Sequence, residues 1–380
     1  MIKIAHLNNI SQLSGSQLVS IQVLEALPAS EFHRTIICGI DANGMVGFEQ
    51  RCRSSNINPI FLRSSSRKIG LSDIDYFFDL LKVFREGKYD IIHTNSTKQG
   101  IIGRIAAKCT NTKVIIHTVH GIAYHKGQPY LKRCLLYFLE IFGTFFCHQQ
   151  VLVNKYYSKY YKWMPWLKSL TIKNGVSDLE LLNYEKKTGI ESVPKLKKVV
   201  LFLGRLEAQK DPMTLLRAIN YLKLTNQSLL DKTVFKFVGD GNLAEYCFEY
   251  AKANHLLGYV NFTGWSDDKW KELLSADVLC GPSIHEACGL VFLEAGLCKI
   301  PVVATDTEGI PEVVVHGKTG LLSPIQDHIS LSENLVTLLT DSAYSDQLGE
   351  NSREYVLEAY KLLDMQNQYL KLYKKMLEVK

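Results

Sequence analysis

No two of the nine cysteines form a C-x-x-C pair, and their number is odd, so neither a disulfide framework nor a zinc site is expected. Reduced, buried thiols in a cytosolic chain are the simpler reading. No run of eighteen apolar residues occurs, which argues against an ordinary membrane-spanning helix. The nearest approach, CLLYFLEIFGTFFC at 134–147, is too short to span, carries Glu140, and reads as a buried helix. The opening MIKIAHLNNI lacks the long apolar region of a secretory signal, so export is not expected. Fixed-period repeats and low-complexity segments are also missing. What remains is a globular chain of ordinary composition, 46% hydrophobic and 22% charged.

Acidic residues are scarcest where basic ones are plentiful. The net charge of +6 conceals an imbalance: residues 1–175 hold 22 Lys and Arg against 10 Asp and Glu, and the remainder holds 22 against 28. Between 91 and 175 stand twelve basic residues and one acid, Glu140, with tyrosines and tryptophans interleaved from Tyr124 to Trp166. That composition suits an anionic surface: a membrane headgroup layer, a diphosphate-bearing lipid or nucleic acid. A merely solvated basic face is the competing reading, since net charge speaks first to solubility and association.

At 380 residues, two domains of ordinary size are expected. The stretch IKIAHL reads as a buried strand, followed by a polar turn with Gly15 and the amphipathic helix QLVSIQVLEAL. Further strands, HRTIICGI, YDIIHTN, KVIIHTV and QQVLVNK, follow, with the helix QGIIGRIAAKC among them. The pattern then restarts at KKVVLFLGRL and runs through TVFKFVGDG, YVNFTG and ADVLCGPS to IPVVATD. Strands alternating with helices predict two doubly wound α/β domains joined across 172–197, with facing strand ends forming a cleft, and a helical tail from about 343 to 380. In such sheets ligands bind outside the carboxyl ends of strands, so candidate residues belong in loops just after strands.

Several stretches pass that test. In HEACGLVFLEAG at 285–296 a helix starting near Leu290 places Glu286 on the preceding loop and Glu294 one turn in, flanking a helix N-terminus suited to phosphate. In GRLEAQKD, Arg205 follows a strand and Lys210 precedes Pro212, a helix start. A planar fork and a point charge there suit a diphosphate, although either alone reads equally as a surface residue. His120 ends KVIIHTVHG beside Gly121, while His117 reads as structural. Gly15 permits close backbone approach, or simply makes a turn. The stretch VGDGNLA at 238–244 matches the G-x-G-x-x-A dinucleotide fingerprint, but YVNFTGW offers no acid before Asp267, so a tight turn is the preferred reading over NAD binding. Asp73 and Asp75 in DID sit where a helix's first turn favours acids, and no metal site is assigned.

Taken together, SGSQ, HTVHG, KNGV, GRLEAQKD, HEACGLVFLEAG and PVVATDTEGIPEVV followed by HGKTGLL resemble the family 4 retaining glycosyltransferases of GT-B fold, in order over nearly the whole chain. The resemblance implies two Rossmann-like domains, an acceptor-binding one at 1–175 and a nucleotide-sugar-binding one at 176–360, with a C-terminal helix at 361–380 packing back on the first. It maps a family E-x7-E pair onto Glu286, at donor-sugar hydroxyls, and Glu294, at the ribose diol. Backbone around Gly289, Leu290 and Val291 would hold phosphate or sugar oxygens. Arg205 and Lys210 match the diphosphate pair that acts in place of a metal, and His120 the histidine near the sugar's reactive face. Gly15 matches the phosphate loop, and Asn174 and Gly175 match the NG at the domain crossing.

Two departures stand out. Ser14-Gly15 replaces a pair of glycines, and Ala287-Cys288 replaces the usual aromatic or Gly. The implied activity is a hexosyltransferase of cell-surface polysaccharide biosynthesis, of the lipopolysaccharide and capsule type. The implied donor is a UDP- or GDP-sugar, a co-substrate with no further cofactor or metal. The implied acceptor is a saccharide on polyprenyl diphosphate, reached by peripheral contact with the anionic inner face of the membrane, with no nucleic-acid partner. A sugar-nucleotide epimerase and a non-catalytic saccharide- or membrane-binding protein remain the alternatives.

Overall fold

The computed structural model describes every residue except 42–44, 66–69, 126, 190–195 and 380. The chain divides into two compact units, Met1–Asn174 with Leu363–Lys380, and Gly175–Leu362. It passes from one to the other at 174–175 and returns at 362–363.

The first unit begins with β1 (Ile2–Ile10), α1 (Gly15–Glu25), β2 (Phe32–Gly39), α2 (Met45–Ser54), β3 (Asn58–Leu62) and α3 (Ser72–Gly87). It continues through β4 (Ile91–Thr94), α4 (Thr97–Cys109), β5 (Val114–Val119), α5 (Tyr130–Thr144), β6 (Gln149–Leu152), α6 (Ser158–Tyr161) and β7 (Ser169–Thr171). The strands form one sheet in the order β3-β2-β1-β4-β5-β6-β7, and every pairing is parallel. Residues of β4, β5 and β6 are buried throughout, as in a parallel sheet covered on both faces, and so they bury the polar side chains of His93, His117, Gln149 and Gln150 along with the apolar ones.

The second unit holds α7 (Leu179–Thr188), β8 (Lys198–Leu203), α8 (Pro212–Thr225), α9 (Gln227–Asp231), β9 (Thr233–Val238), α10 (Ala244–Ala253), β10 (Val260–Gly264) and α11 (Lys269–Leu274). After these come β11 (Val278–Gly281), α12 (Leu290–Leu297), β12 (Val302–Thr305), α13 (Ile310–Val313), β13 (Gly320–Ser323), α14 (His328–Thr340) and α15 (Ser342–Ala359). Its sheet runs β10-β9-β8-β11-β12-β13, again parallel. In each sheet the strand order reverses direction once, between β1 and β4 and between β8 and β11. Crossovers leave to opposite sides at that point, so the loops there diverge and leave room for a ligand.

The last helix, α16 (Leu362–Glu378), is fastened mainly within the first unit by buried aromatic hydroxyls. Tyr373 Oη lies 2.9 Å from His6 Nε2 and 2.7 Å from His93 Nδ1, and Tyr369 Oη lies 3.2 Å from Thr118 Oγ1. The helical tail is thus two helices, α15 and α16, with a break at Tyr360–Lys361.

One reading needs correction. The 134–147 stretch is helical up to Thr144 but not buried: of α5 only Glu140, Gly143 and Thr144 are, while Leu131, Leu135, Phe138 and Phe142 are at least half exposed. Leu131, Leu135, Phe138 and Phe142 recur at i, i+4, i+7 and i+11, so they form one apolar stripe, and that stripe is the side left in solvent while Glu140, Gly143 and Thr144 face inward. The crossing at 174–175 falls inside the expected junction of 172–197, which also carries the helix α7; its residues 190–195 lie outside the described residues. A Cβ added at Gly15 would meet nothing within 4 Å, so no close packing of this chain demands glycine there.

Candidate active site

The two central strands of the second sheet each deliver one cluster. From β8 the chain turns through Gly204 to Arg205, whose guanidinium lies 2.6 Å from Glu207. Lys210 follows on the same loop, and Asp211 then caps α8, accepting from Thr214 N at 3.3 Å and Thr214 Oγ1 at 2.6 Å, with Pro212 in the first turn. From β11 the chain runs through Ser283 and His285 to Glu286, and Lys210 Nζ is ion-paired to the Glu286 carboxylate. This pair joins the loops that leave neighbouring strands, at the point where the strand order reverses.

The Glu286 loop is stitched on both sides. Ile284 N donates to Gln209 O at 2.9 Å, Gln209 Nε2 donates to His285 O at 3.0 Å, and Gly309 N donates to Glu286 O at 3.0 Å. Gly289 then takes φ +67°, a left-handed conformation that a side chain would strain, and a Cβ there would strike the Phe292 ring. It forms the N-cap of α12, so the N–H groups of Leu290 and Val291 belong to the helix's first turn, unsatisfied within the helix and carrying its positive end. Glu294, one turn on, is buried to 9% exposure and accepts from Lys269 Nζ at 2.7 Å. Burial raises its pKa, and Lys269 opposes that rise.

The fingerprint VGDGNLA has a structural job. A Cβ at Gly239 would fall 2.0 Å from Gly204 O, and one at Gly241 2.4 Å from Leu206 O. Leu206 N donates to Asp240 O, and Leu243 N donates to Leu206 O. These glycines therefore let one backbone lie against another and hold the Arg205 loop, which uses up the close approach that a dinucleotide would need.

In the first unit His120 follows β5, and its Nε2 lies 3.3 Å from Asn95 Oδ1, on the loop after β4. Burial lowers its pKa to about 4, so the ring is neutral near neutral pH. His117 is buried within β5 with Nδ1 2.8 Å from Thr94 Oγ1, a core residue as expected. Gly15 opens α1 after β1. At the crossing Asn174 is 5% exposed with Oδ1 unpaired among the described residues. Beside it a Cβ on Gly175 would fall 2.6 Å from Lys361 O, so the outgoing and returning chain are in backbone contact.

Sequence reasoning missed Lys269, Glu180, Asn95 and the pair formed by His285 Nδ1 and Glu308 Oε1, 3.2 Å apart. Only Glu308 carried a local hint, lying beside Gly309 in TDTEGIPE; its φ of +46° is unusual for a glutamate.

Residues 13–177 match the family model "Glycosyltransferase Family 4", and residues 183–355 match "Glycosyl transferases group 1". The chain belongs to these glycosyltransferases, of GT-B fold, and is a transferase enzyme. Among its relatives is the UDP-Gal:alpha-D-GlcNAc-diphosphoundecaprenol alpha-1,3-galactosyltransferase of Escherichia coli, 28% identical over 98% of this chain and 96% of that protein. Anabaena HepE, solved with UDP and glucose, superimposes with a TM-score of 0.78 at 18% identity, covering 99% of this chain and 100% of that one. Sucrose-phosphate synthase from Thermosynechococcus elongatus gives 0.82 at 20% identity, with full coverage of both chains. At such identities these two structures establish the fold alone.

Proposed function

We propose that this enzyme transfers a hexose from a UDP-sugar, with retention of anomeric configuration and without a metal, to a hydroxyl of a polyprenyl-diphosphate-linked saccharide in cell-surface polysaccharide synthesis. The observation that carries the donor half is the Lys210–Glu286 pair, with Arg205 beside it and the N-terminus of α12 following on the same loop. Two cations and a helix N-terminus suit a diphosphate, while the two carboxylates suit hydroxyls. The choice of UDP over GDP, and of a lipid-linked acceptor, rests on the printed activity of the Escherichia coli relative and the UDP bound to HepE.

In this reading Glu294 accepts from the ribose diol and Glu286 from the sugar. Arg205, Lys210 and the N–H groups around Gly289, Leu290 and Val291 address the diphosphate, with Gly15 at the phosphates. Asn174 and Gly175 shape the crossing beside the donor. A bound diphosphate draws Lys210 from Glu286, freeing that carboxylate to face positive charge at the anomeric carbon. The bond from that carbon to the leaving phosphate breaks, the acceptor oxygen bonds on the same face, and its proton passes to the departing phosphate oxygen. Neutral His120 serves as a hydrogen-bonding group at the sugar.

The acceptor's lipid places the reaction at the inner face of a membrane. Among the described residues no helix is long and apolar enough to cross a membrane, and α5 supplies a peripheral surface instead. Leu131, Leu135, Phe138 and Phe142 are exposed along it, Phe145 stacks on Trp166 at 5.3 Å, and Lys132, Arg133 and Lys162 are exposed nearby. Apolar insertion with basic flanks fits an anionic headgroup layer. The test is transfer from UDP-[14C]galactose, and from other UDP-hexoses in parallel, to a synthetic lipid-diphosphate-linked N-acetylglucosamine. Label in an alpha-linked, EDTA-insensitive product is expected. Conversion of the sugar nucleotide with no acceptor present would replace transferase with epimerase.

A further inference from the structure

Lys269 stands at the start of α11 and touches more of the second unit than a surface lysine needs to. Its Nζ lies 2.7 Å from Glu294 Oε1 on α12, 3.4 Å from Glu180 Oε2 on α7, and 4.7 Å from the centre of the Trp270 ring. A second link joins the same elements: Tyr184 Oη of α7 donates to Asp268 Oδ2 at 2.8 Å, and Asp268 caps α11 by accepting from Lys271 N at 3.0 Å. The lysine is therefore held from both ends, and one oxygen of the Glu294 carboxylate is held by it.

We propose, building on the reading of Glu294 as the ribose-binding carboxylate, that Lys269 is a positioning residue: it fixes the rotation of Glu294 and, in competition with Glu180, sets the pH below which nucleotide is released. A ribose diol donates two hydrogen bonds, and only the ionised carboxylate accepts both. Burial works against that ionised form. Lys269 supplies the opposing charge, and its own pKa is raised despite burial, chiefly by Glu294, so it stays cationic wherever the site works. Glu180 pushes the other way, raising the pKa of Glu294 by like-charge repulsion. Among the described residues, the other charged or titratable groups near this cluster include Glu185 on α7, Arg353 on α15 and the Cys298 thiol after α12, whose pKa burial raises.

The sign follows directly. A carboxylate with a raised pKa is lost as a binding group while the pH is still above the ordinary carboxylate range, and removing Lys269 moves that loss to still higher pH. Removing Glu180 moves it lower. These opposite shifts distinguish positioning by charge from a purely structural role, which would weaken binding without moving the midpoint.

The experiment is calorimetric titration of the full chain with UDP from pH 5 to 8, for wild type and the variants K269M, K269R, E180Q and E294Q. Phosphate ionisation of UDP is common to all five and cancels in the comparison. The acid limb of binding should move up by about one pH unit or more in K269M, return towards wild type in K269R, and move down in E180Q. If K269M does not fold, the downward shift in E180Q carries the test alone. Midpoints of K269M and E180Q equal to wild type, with E294Q losing affinity, would overturn the role of Lys269 and leave the ribose reading standing. Wild-type affinity in E294Q would overturn the ribose reading and this inference with it.

Discussion

The two units bring polar groups to the carboxyl ends of their strands in opposite ways. In the second, charge meets charge: Lys210 with Glu286, Lys269 with Glu294, Arg205 with Glu207. In the first, beside the Lys98–Asp73 and Arg104–Glu140 ion pairs, stands a neutral network: His6, His93 and Thr118 share hydrogen bonds with Tyr373 and Tyr369, and His120 leans on Asn95. Desolvation lowers the pKa of His6 to about 3 and that of His93 and His117 well below the ordinary value. Exchangeable ion pairs suit an anionic, multiply charged donor, which displaces one partner and takes its place. A neutral, buried network suits rigid support.

Breaking an ion pair should cost the most. If Lys210 faces the leaving phosphate as proposed, Lys210→Ala lowers kcat by roughly 10²-fold or more, since such a contact strengthens in the transition state. Initial rates at saturating donor check this, and a near-wild-type rate would remove Lys210 from the chemistry. Glu294→Ala should weaken UDP binding by about 10- to 100-fold, the value of hydrogen bonds to a charged acceptor, as read by calorimetry.

The first unit should answer to acid instead. His6, His93, His117 and His120 bind protons less readily folded than unfolded, so below the ordinary histidine pKa of about 6.5 the unfolded chain gains protons first and stability falls. The slope should be about 1.4 kcal/mol per histidine for each pH unit between there and the lowered values. Urea unfolding from pH 7 to 5 reads it, and His93→Gln should flatten it if the glutamine is accommodated. The smallest effect is expected at the surface. Phe138→Glu on α5 should reduce sedimentation with anionic vesicles by about tenfold, near the value of one buried aromatic side chain, and leave UDP affinity unchanged.

The charged half of this contrast was legible in the sequence, the neutral network of the first unit was not, and the reason is local. Arg205, Lys210, Glu286 and Glu294 lie in short stretches that follow apolar strands, so strand-end logic marked them as candidates, and the family resemblance supplied their expected roles. Lys269 and Glu180 come from elements separated in sequence, and nothing local marks a lysine whose partners lie on α7 and α12. Strand β7 escaped for a related reason: its three residues are too few for a periodicity. The apolar run at 134–147 misled because hydrophobic content says nothing of which side is covered, and α5 leaves its large side chains in solvent. Gly239 and Gly241 read as a tight turn, and the partner they pack against, the backbone of 204–206, is a tertiary contact that no spacing encodes.

The most direct measurement is the melting temperature with UDP, GDP and NAD, each at high excess. A ligand at 100 times its dissociation constant adds about 2.7 kcal/mol. UDP should raise the melting temperature clearly, GDP less, and NAD not at all. A rise with NAD alone would contradict the sugar-nucleotide site and direct attention back to Gly239 and Gly241; no rise with any of the three would contradict a functional donor site.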